Sequence, residues 1–277
     1  ASPVNTAQPR QDPLAVVNQQ LRYLDSQLVL ARQRLYAMEA RQALTDANKS
    51  PRFRIEFRSQ FGEDLWIWDV LGGQTEGFFI EAGAFDGYHY SVTLALEAVG
   101  WTGLLVEALP EQFEKCRQRR PGSRVVHGAL ARRNAPPTTR FVNVHDQYGG
   151  MLSFADGGTA VGGSRAEHAR QIADNKFRTT TIEVPTTTLN ELLKDHLGPI
   201  DVAMIDVEGA ELDVLDGFDL HRFKPRLLIL EENSLGRNQA LAQYMATKPY
   251  VLGGWCGVNM LYVRTDEERM LERLNQY

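Results

Sequence analysis

The stretch Gly77-Phe-Phe-Ile-Glu-Ala-Gly-Ala-Phe-Asp-Gly87 decides the fold. An apolar run long enough for a buried strand ends in an acid and breaks into two glycines four residues apart. In an open α/β sheet, ligands bind beyond the carboxyl ends of the strands, where glycine lets the backbone come close to them. A dinucleotide turn would be G-x-G-x-x-G, with a helix N-terminus facing a pyrophosphate. Here Glu81 takes the first glycine's place and Asp86 lies inside the turn. Two carboxylates repel a pyrophosphate and favour a ligand carrying an ammonium and a sulfonium, the charge pattern of S-adenosylmethionine (SAM).

Working outward, Trp101-Thr-Gly-Leu-Leu-Val-Glu107 is a second apolar strand ending in an acid, placed to accept hydrogen bonds from both hydroxyls of a ribose. Ile200-Asp-Val-Ala-Met-Ile-Asp-Val-Glu-Gly-Ala-Glu211 brings Asp206, Glu208 and Glu211 to the same sheet edge, and Leu227-Leu-Ile-Leu-Glu-Glu-Asn233 adds Glu231 and Glu232. Acids gathered there are costly unless they bind a cation or accept hydrogen bonds. Glu208 and Glu211 also suit the N-terminus of the helix that follows.

From residue 53 onward apolar runs alternate with amphipathic stretches, the pattern of a doubly wound sheet. Strands are expected at 77–82, 103–107, 124–127, 140–144, 181–185, 202–205, 226–230 and 259–264. Helices are expected at 63–71, 91–99, 110–119, 189–197, 211–216 and 239–247. Residues 145–175, with paired glycines and little apolar periodicity, read as a lid over the acceptor, with Arg165, His168 and Arg170 as its polar contacts, or as an insertion without a role. Tyr250 and Trp255 read as core aromatics or as rings that stack on a sugar.

Ahead of this domain, residues 1–13 are polar and proline-rich and read as a disordered leader. Within 14–52, Leu14, Val17, Leu21, Leu24, Leu28, Ala31, Leu35 and Met38 alternate spacings of three and four. That is either one helix packed on its own domain or a coiled-coil seam joining copies through residues 14–42.

The chain has 277 residues, 43% hydrophobic and 23% charged, and 30 Lys plus Arg against 35 Asp plus Glu give a net charge of −5. That balance argues against nucleic acid as the partner. Cys116 and Cys256 belong to no metal-ligand spacing and read as structural thiols. No apolar run reaches the ~18 residues of a membrane span, so a soluble, cytoplasmic chain is favoured, with a leader or anchor ahead of Ala1 left open.

With these features together, the chain resembles the FkbM family of SAM-dependent methyltransferases. The resemblance rests on Ser59-Gln-Phe-Gly-Glu-Asp64, Phe78-Phe-Ile-Glu-Ala-Gly-Ala-Phe-Asp-Gly87, Gly100-Trp-Thr-Gly-Leu-Leu-Val-Glu107, Ile205-Asp-Val-Glu-Gly-Ala-Glu211, Leu215-Asp-Gly-Phe218 and Val258-Asn-Met-Leu-Tyr-Val-Arg264. It implies a class I methyltransferase fold, a Rossmann-like, mostly parallel seven-stranded sheet with a reversed last strand. It also implies methyl transfer, usually to a hydroxyl oxygen, here of a sugar or polyol-bearing metabolite. Glu81, Gly83, Asp86 and Gly87, with Ala84 and Ser91 beside them, would line the methionine end of SAM, and Glu107 the ribose. His127, Gly128 and Ala129 would lie beside adenine, Asp206 near the transferring methyl, and Gln60 with Asp64 over the site. Glu81 stands where an Asp is commoner and His127 where an Asn is frequent. An alcohol must lose its proton, and His89, Asp206 and Glu208 are the candidates to take it. No metal is needed for this reading. The alternative has Asp206, Glu231 and Glu232 hold Mg²⁺ against a vicinal diol. Two other readings are a methyltransferase-fold scaffold without activity and an enzyme acting on a macromolecular or lipid-linked acceptor.

Overall fold

The computed structural model describes residues 13–147, 149–156, 170, 172–237 and 239–274. Its centre is a seven-stranded sheet built from β1 (Phe78–Ala82), β2 (Thr102–Glu107), β3 (Arg124–His127), β8 (Val202–Ile205), β9 (Leu227–Glu231), β10 (Tyr250–Cys256) and β11 (Asn259–Arg264). The order across it is β10-β11-β9-β8-β1-β2-β3, with β11 antiparallel to both neighbours and the other pairings parallel. Phe-Phe-Ile-Glu-Ala, Val-Ala-Met-Ile and Leu-Leu-Ile-Leu-Glu are near-continuous apolar runs because both faces of these strands are covered. Alternate residues serve opposite cores. Phe79, Leu105, Met204 and Ile229 pack with Trp68 and Trp101 on one side. Ile80, Leu104, Ile205 and Leu230 pack with Phe218 and Leu241 on the other. Helices α2 (Glu63–Val70), α3 (Leu94–Val99), α4 (Pro110–Arg119), α5 (Leu189–Leu192), α6 (Glu211–Asp216), α7 (Ala240–Met245) and α8 (Glu268–Leu274) supply the covering layers.

The chain moves outward from β1 to β3 and then returns to β8, so the order reverses between β1 and β8 and opens a crevice beyond their carboxyl ends. There Gly83, at φ +83°, lies so close to β8 that a Cβ would stand 1.8 Å from the Asp206 carbonyl oxygen. Glycine is required by contact as well as by conformation.

Two expected strands belong elsewhere. Residues 140–144 and 181–185 fall within β5 (Thr138–His145) and β7 (Arg178–Thr187) of a second, four-stranded sheet ordered β4-β7-β5-β6, with β4 (Ala129–Leu130) and β6 (Phe154–Ala155). Thr-Thr-Arg-Phe-Val-Asn-Val-His and Arg-Thr-Thr-Thr-Ile-Glu-Val mix polar with apolar residues, which suits a half-exposed antiparallel pair and not a buried parallel strand. The expected strands omit β10, an edge strand interrupted by Gly253 and Gly254 with a register shift there. The helix expected at 189–197 is shorter in the structure, its α-helical part ending at Leu192.

Helix α1 (Pro13–Asp46) packs on the domain through Tyr36, Ala40 and Leu44, with Arg32 and the Tyr36 hydroxyl bonded to Asp69. Leu14, Val17, Leu21, Leu24, Leu28, Leu35 and Met38 remain exposed, so the heptad seam and the docking face are different sides of one helix. The leader lies outside the described residues apart from Pro13. Both cysteines are free thiols. Among the described residues no helix is long and apolar enough to cross a membrane.

Candidate functional site

Two adjoining cavities occupy the crevice. The first, about 760 Å³, runs from Gly83 and Asp206 past Glu107 and Leu109 to Gly128, Ala129 and Leu130. Phe141, Met151 and Ala155 close it from the second sheet, so the start of the segment expected to be a loop contributes a wall. The second, about 670 Å³, is lined by Gln60, Phe61, Glu81, Ala84, His89, Tyr90, Ser91, Asp206, Glu208, Glu231 and Asn259 among others. Gly83, Phe85, Met151, Asp206 and Glu208 line both, so the two cavities adjoin there.

Glu107 sits where β2 ends against the first cavity. Its carboxylate accepts the Phe85 N–H at 2.8 Å and the Leu109 N–H at 2.7 Å. Burial pushes its pKa up to about 7 despite these bonds. Each oxygen still has a lone pair for a hydroxyl donor, so the residue fits a ribose diol.

Glu81 is engaged inside the protein. It accepts from Ser91 Oγ (3.0 Å), the Val92 N–H (2.9 Å) and Thr93 Oγ1, and pairs with Arg120 at 3.4 Å. Arg120, fully buried, also binds Glu97 at 2.8 Å, the Ser91 and Thr93 hydroxyls and backbone carbonyls. Glu81 therefore fixes the turn after β1 from below while lining the cavity. Gly87 does not line either cavity. It packs against Arg120 and Cys116, where a Cβ would come within 2.8 Å of each.

Asp86 also points away from the cavities. It accepts the Tyr88 and His89 N–H groups, pairs with Arg119, and holds His89 Nδ1 at 2.6 Å. Burial opposes its ionisation, but the bonds from His89, Tyr88 and Arg119 prevail and lower its pKa. His89 lines the second cavity with its side chain about half exposed. His127 turns aside to the Ala108 carbonyl (3.0 Å) and the Phe113 ring, leaving Gly128 and Ala129 as the lining residues of that group.

Asp206, Glu208 and Glu231 place carboxylate oxygens within 4.8 Å of one another. Burial pushes Asp206 and Glu231 well above the usual carboxylate range, and repulsion from neighbouring acids, Glu208 included, adds to it. Glu211, raised to about 7 chiefly by burial, accepts the Gly209 and Val207 N–H groups and so braces the turn that leads into its helix. The alternative metal set is corrected here. Glu232 turns back to accept from the Ser234 and Gly236 N–H groups, and Glu208, presented from a left-handed backbone at φ +55°, joins the cluster instead.

The remaining candidates from the sequence separate similarly. Asp64, raised to about 6 mainly by burial, accepts from Ser59 and the Arg58 N–H and so braces the segment carrying Gln60. The Tyr250 hydroxyl is buried on the Pro225 carbonyl, and Trp255 is part-exposed outside both cavities. Arg165 and His168 lie outside the described residues, and Arg170 is described only as exposed. Sequence reasoning missed Phe61 and Tyr90 as lining residues, whereas Met151 belongs to the segment it read as a lid. It also missed Asn259, whose Nδ2 donates to Glu63 at 2.6 Å. Val258-Asn-Met, one of the motifs quoted above, was the available signal for Asn259.

The chain matches the methyltransferase FkbM domain over residues 81–262. Among solved structures it is similar to an FkbM methyltransferase from Methylobacillus flagellatus KT (13% identity, TM-score 0.40, covering 68% of this chain and 44% of that one). It is also similar to a human methyltransferase 10 domain containing protein (14%, 0.41, 84% and 93%) and an O-methyltransferase from Bacillus cereus in complex with SAH (13%, 0.38, 83% and 90%). The chain spans less than half the length of the Methylobacillus protein. No curated protein is detectably similar to it. With the domain match covering the glycine turn, the second-strand acid and the acidic edge, the chain belongs to the FkbM family of SAM-dependent methyltransferases.

Proposed function

We propose that the protein methylates a hydroxyl oxygen of a small sugar-like or polyol acceptor, using SAM as donor. The observation that carries this reading is the adjacency of the two cavities, which share Gly83, Phe85, Met151, Asp206 and Glu208 as lining residues. A nucleoside fits the first, with its base among Leu109, Gly128, Leu130 and Phe141 and its ribose on Glu107. A methionine tail and the acceptor fit the second.

SAM supplies the methyl group and the leaving sulfur. The protein's part is to align the acceptor oxygen with them, exclude water and take the hydroxyl proton. His89 suits the last role. Asp86 holds its Nδ1, which leaves Nε2 to accept a proton and stabilises the imidazolium that forms. Arg119 on Asp86 keeps that carboxylate ionised and in place.

The test is calorimetric titration with SAM and with S-adenosylhomocysteine. Micromolar binding is expected, and Glu107→Ala should weaken it about 10- to 100-fold through the lost charge-assisted ribose bonds. His89→Gln should lower turnover and leave SAM affinity intact. Unchanged affinity in Glu107→Ala would remove the ribose assignment.

Helix α1 supports self-association. Its a and d positions, from Leu14 to Met38, are solvent-exposed while Tyr36, Ala40 and Leu44 on the other side cover the domain. In a parallel pair, Arg34 meets the partner's Glu39 and Arg41 the partner's Asp46, so the charges flanking the seam suit a second copy. Leu21→Glu with Leu28→Glu should convert the particle to monomer in sedimentation and leave SAM affinity unchanged. A wild-type chain already monomeric at tens of micromolar would end this reading.

A further inference from the structure

A buried polar atom without a partner costs free energy, and a protein retains such an atom mainly where something outside the chain satisfies it. Two of the buried side-chain atoms left unsatisfied among the described residues, Glu231 Oε2 and Asn259 Oδ1, belong to residues that line the second cavity. They belong to residues paired across β9 and β11. Asn259 is 3% exposed, and its bond to Glu63 fixes the amide so that the oxygen, not the nitrogen, is left over. Glu231 is 7% exposed and receives Asn233 Nδ2 on Oε1 at 2.7 Å, leaving Oε2 with nothing. The unmet demand is thus for a donor or a cation facing oxygens. No Lys or Arg among the described residues is ion-paired with Asp206 or Glu231, unlike Glu81 and Glu97, which share Arg120.

We infer that Asp206, Glu208 and Glu231, with Asn259 Oδ1 as a neutral fourth oxygen, form a binding site for one hard divalent cation of the Mg²⁺ or Mn²⁺ class. The donor set is all oxygen, which selects such ions over zinc or copper. The spacing agrees. Oxygens on opposite sides of a cation at about 2.0 to 2.4 Å stand about 4 to 4.8 Å apart, and the three carboxylates fall within 4.8 Å. The site borders both cavities through Asp206 and Glu208, so a bound cation can hold two neighbouring hydroxyls of the acceptor and make one easier to deprotonate. Its role in acceptor binding rests on the methyl-transfer reading above, whereas its existence does not.

The experiment titrates Mn²⁺ into the full chain without SAM or acceptor, read by electron paramagnetic resonance and calorimetry, with folding of each variant checked by circular dichroism. One saturable site per chain is expected, displaced by Mg²⁺, and weakened at least tenfold in Glu231→Gln and in Asp206→Asn. Glu232→Gln, which changes only the turn after β9, should bind Mn²⁺ as the wild type does. Absence of saturable binding at millimolar Mn²⁺, or equal binding in folded Glu231→Gln and Asp206→Asn, overturns the site. So does strict competition between SAM and Mn²⁺, because the ammonium of SAM would then be the cation that the acids accommodate. Mn²⁺ binding in a protein that fails to bind SAM sustains the site and breaks only the methyl-transfer reading.

Discussion

Two acidic clusters stand at the same end of one sheet, and the protein treats them in opposite ways. Beneath the turn after β1, Glu81 and Glu97 surround the buried Arg120, whose guanidinium is bonded on every side, and Glu97 also takes the Gly122 N–H and the Ser123 hydroxyl. Across the crevice, Asp206, Glu208 and Glu231 crowd one another, and Glu231 Oε2 and Asn259 Oδ1 go unmet. The first arrangement is complete without a ligand and holds the turn in shape. The second leaves two oxygens unsatisfied among the described residues, on side chains that line a cavity. Glu107 stands between them, matched by backbone dipoles and, among the described residues, by no cation. Acid content alone does not identify a binding site. The distinction lies in whether the chain itself balances the charge.

The largest expected effect comes from breaking the complete cluster. Arg120→Met leaves two buried carboxylates uncompensated and should cost about 3–5 kcal/mol in urea unfolding, with the turn after β1 loosened. Loss of under 1 kcal/mol would show that Arg120 only fills space. Next is the intermediate case. The pKa of Glu107 is raised in the folded chain, so its contribution to stability is full below its ordinary value near 4.5 and is lost as pH rises through about 7. At roughly 1.4 kcal/mol per unit, the ligand-free protein should lose about 3 kcal/mol from this group over that window, with Asp64, raised to about 6, adding to the fall. Saturating SAM should flatten the part due to Glu107. A melting temperature that climbs steadily from pH 5 to pH 8 in the ligand-free chain would reverse the assignment.

How much of this was legible in the sequence differs between the two clusters for a physical reason. Glu81, Glu107, Asp206 and Glu231 each stand at or next to the end of an apolar run, which places them at one sheet edge, and the glycine turn marks that edge as the functional one. Arg120 was invisible because it follows a helix in a run of Arg and Gln, where solvent exposure is the default; only tertiary packing turns it inward. Glu232 was grouped with Glu231 because they are neighbours in sequence, but the strand ends at Glu231 and Glu232 already belongs to the turn beyond it. Glu208, already placed at that edge by the sequence, joins the cluster through a left-handed backbone conformation. The second sheet was misplaced for another reason: its two long strands were recognised, but β4 and β6 are two residues each and pairing partners depend on contacts far along the chain.

The smallest expected effect is also the sharpest test of the comparison, because its sign differs. Glu97→Gln removes one partner of a balanced pair and should destabilise the protein. Glu231→Gln removes one member of a repelling set, keeps the side chain's shape, and offers an N–H to a neighbouring carboxylate. It should therefore stabilise the cation-free protein by about 1 kcal/mol at pH 8. The gain should shrink toward pH 5, where the raised pKa values already allow Asp206 and Glu231 to share protons. Adding Mg²⁺ should raise the melting temperature of the wild type and not that of Glu231→Gln, since only the intact cluster binds the ion and a ligand that binds only the folded state stabilises it by RT ln(1 + L/Kd), where L is the free ligand concentration. If both substitutions destabilise alike, with or without Mg²⁺, then the chain already balances the charge on Asp206, Glu208 and Glu231, and the difference between the two ends of the crevice is one of burial alone.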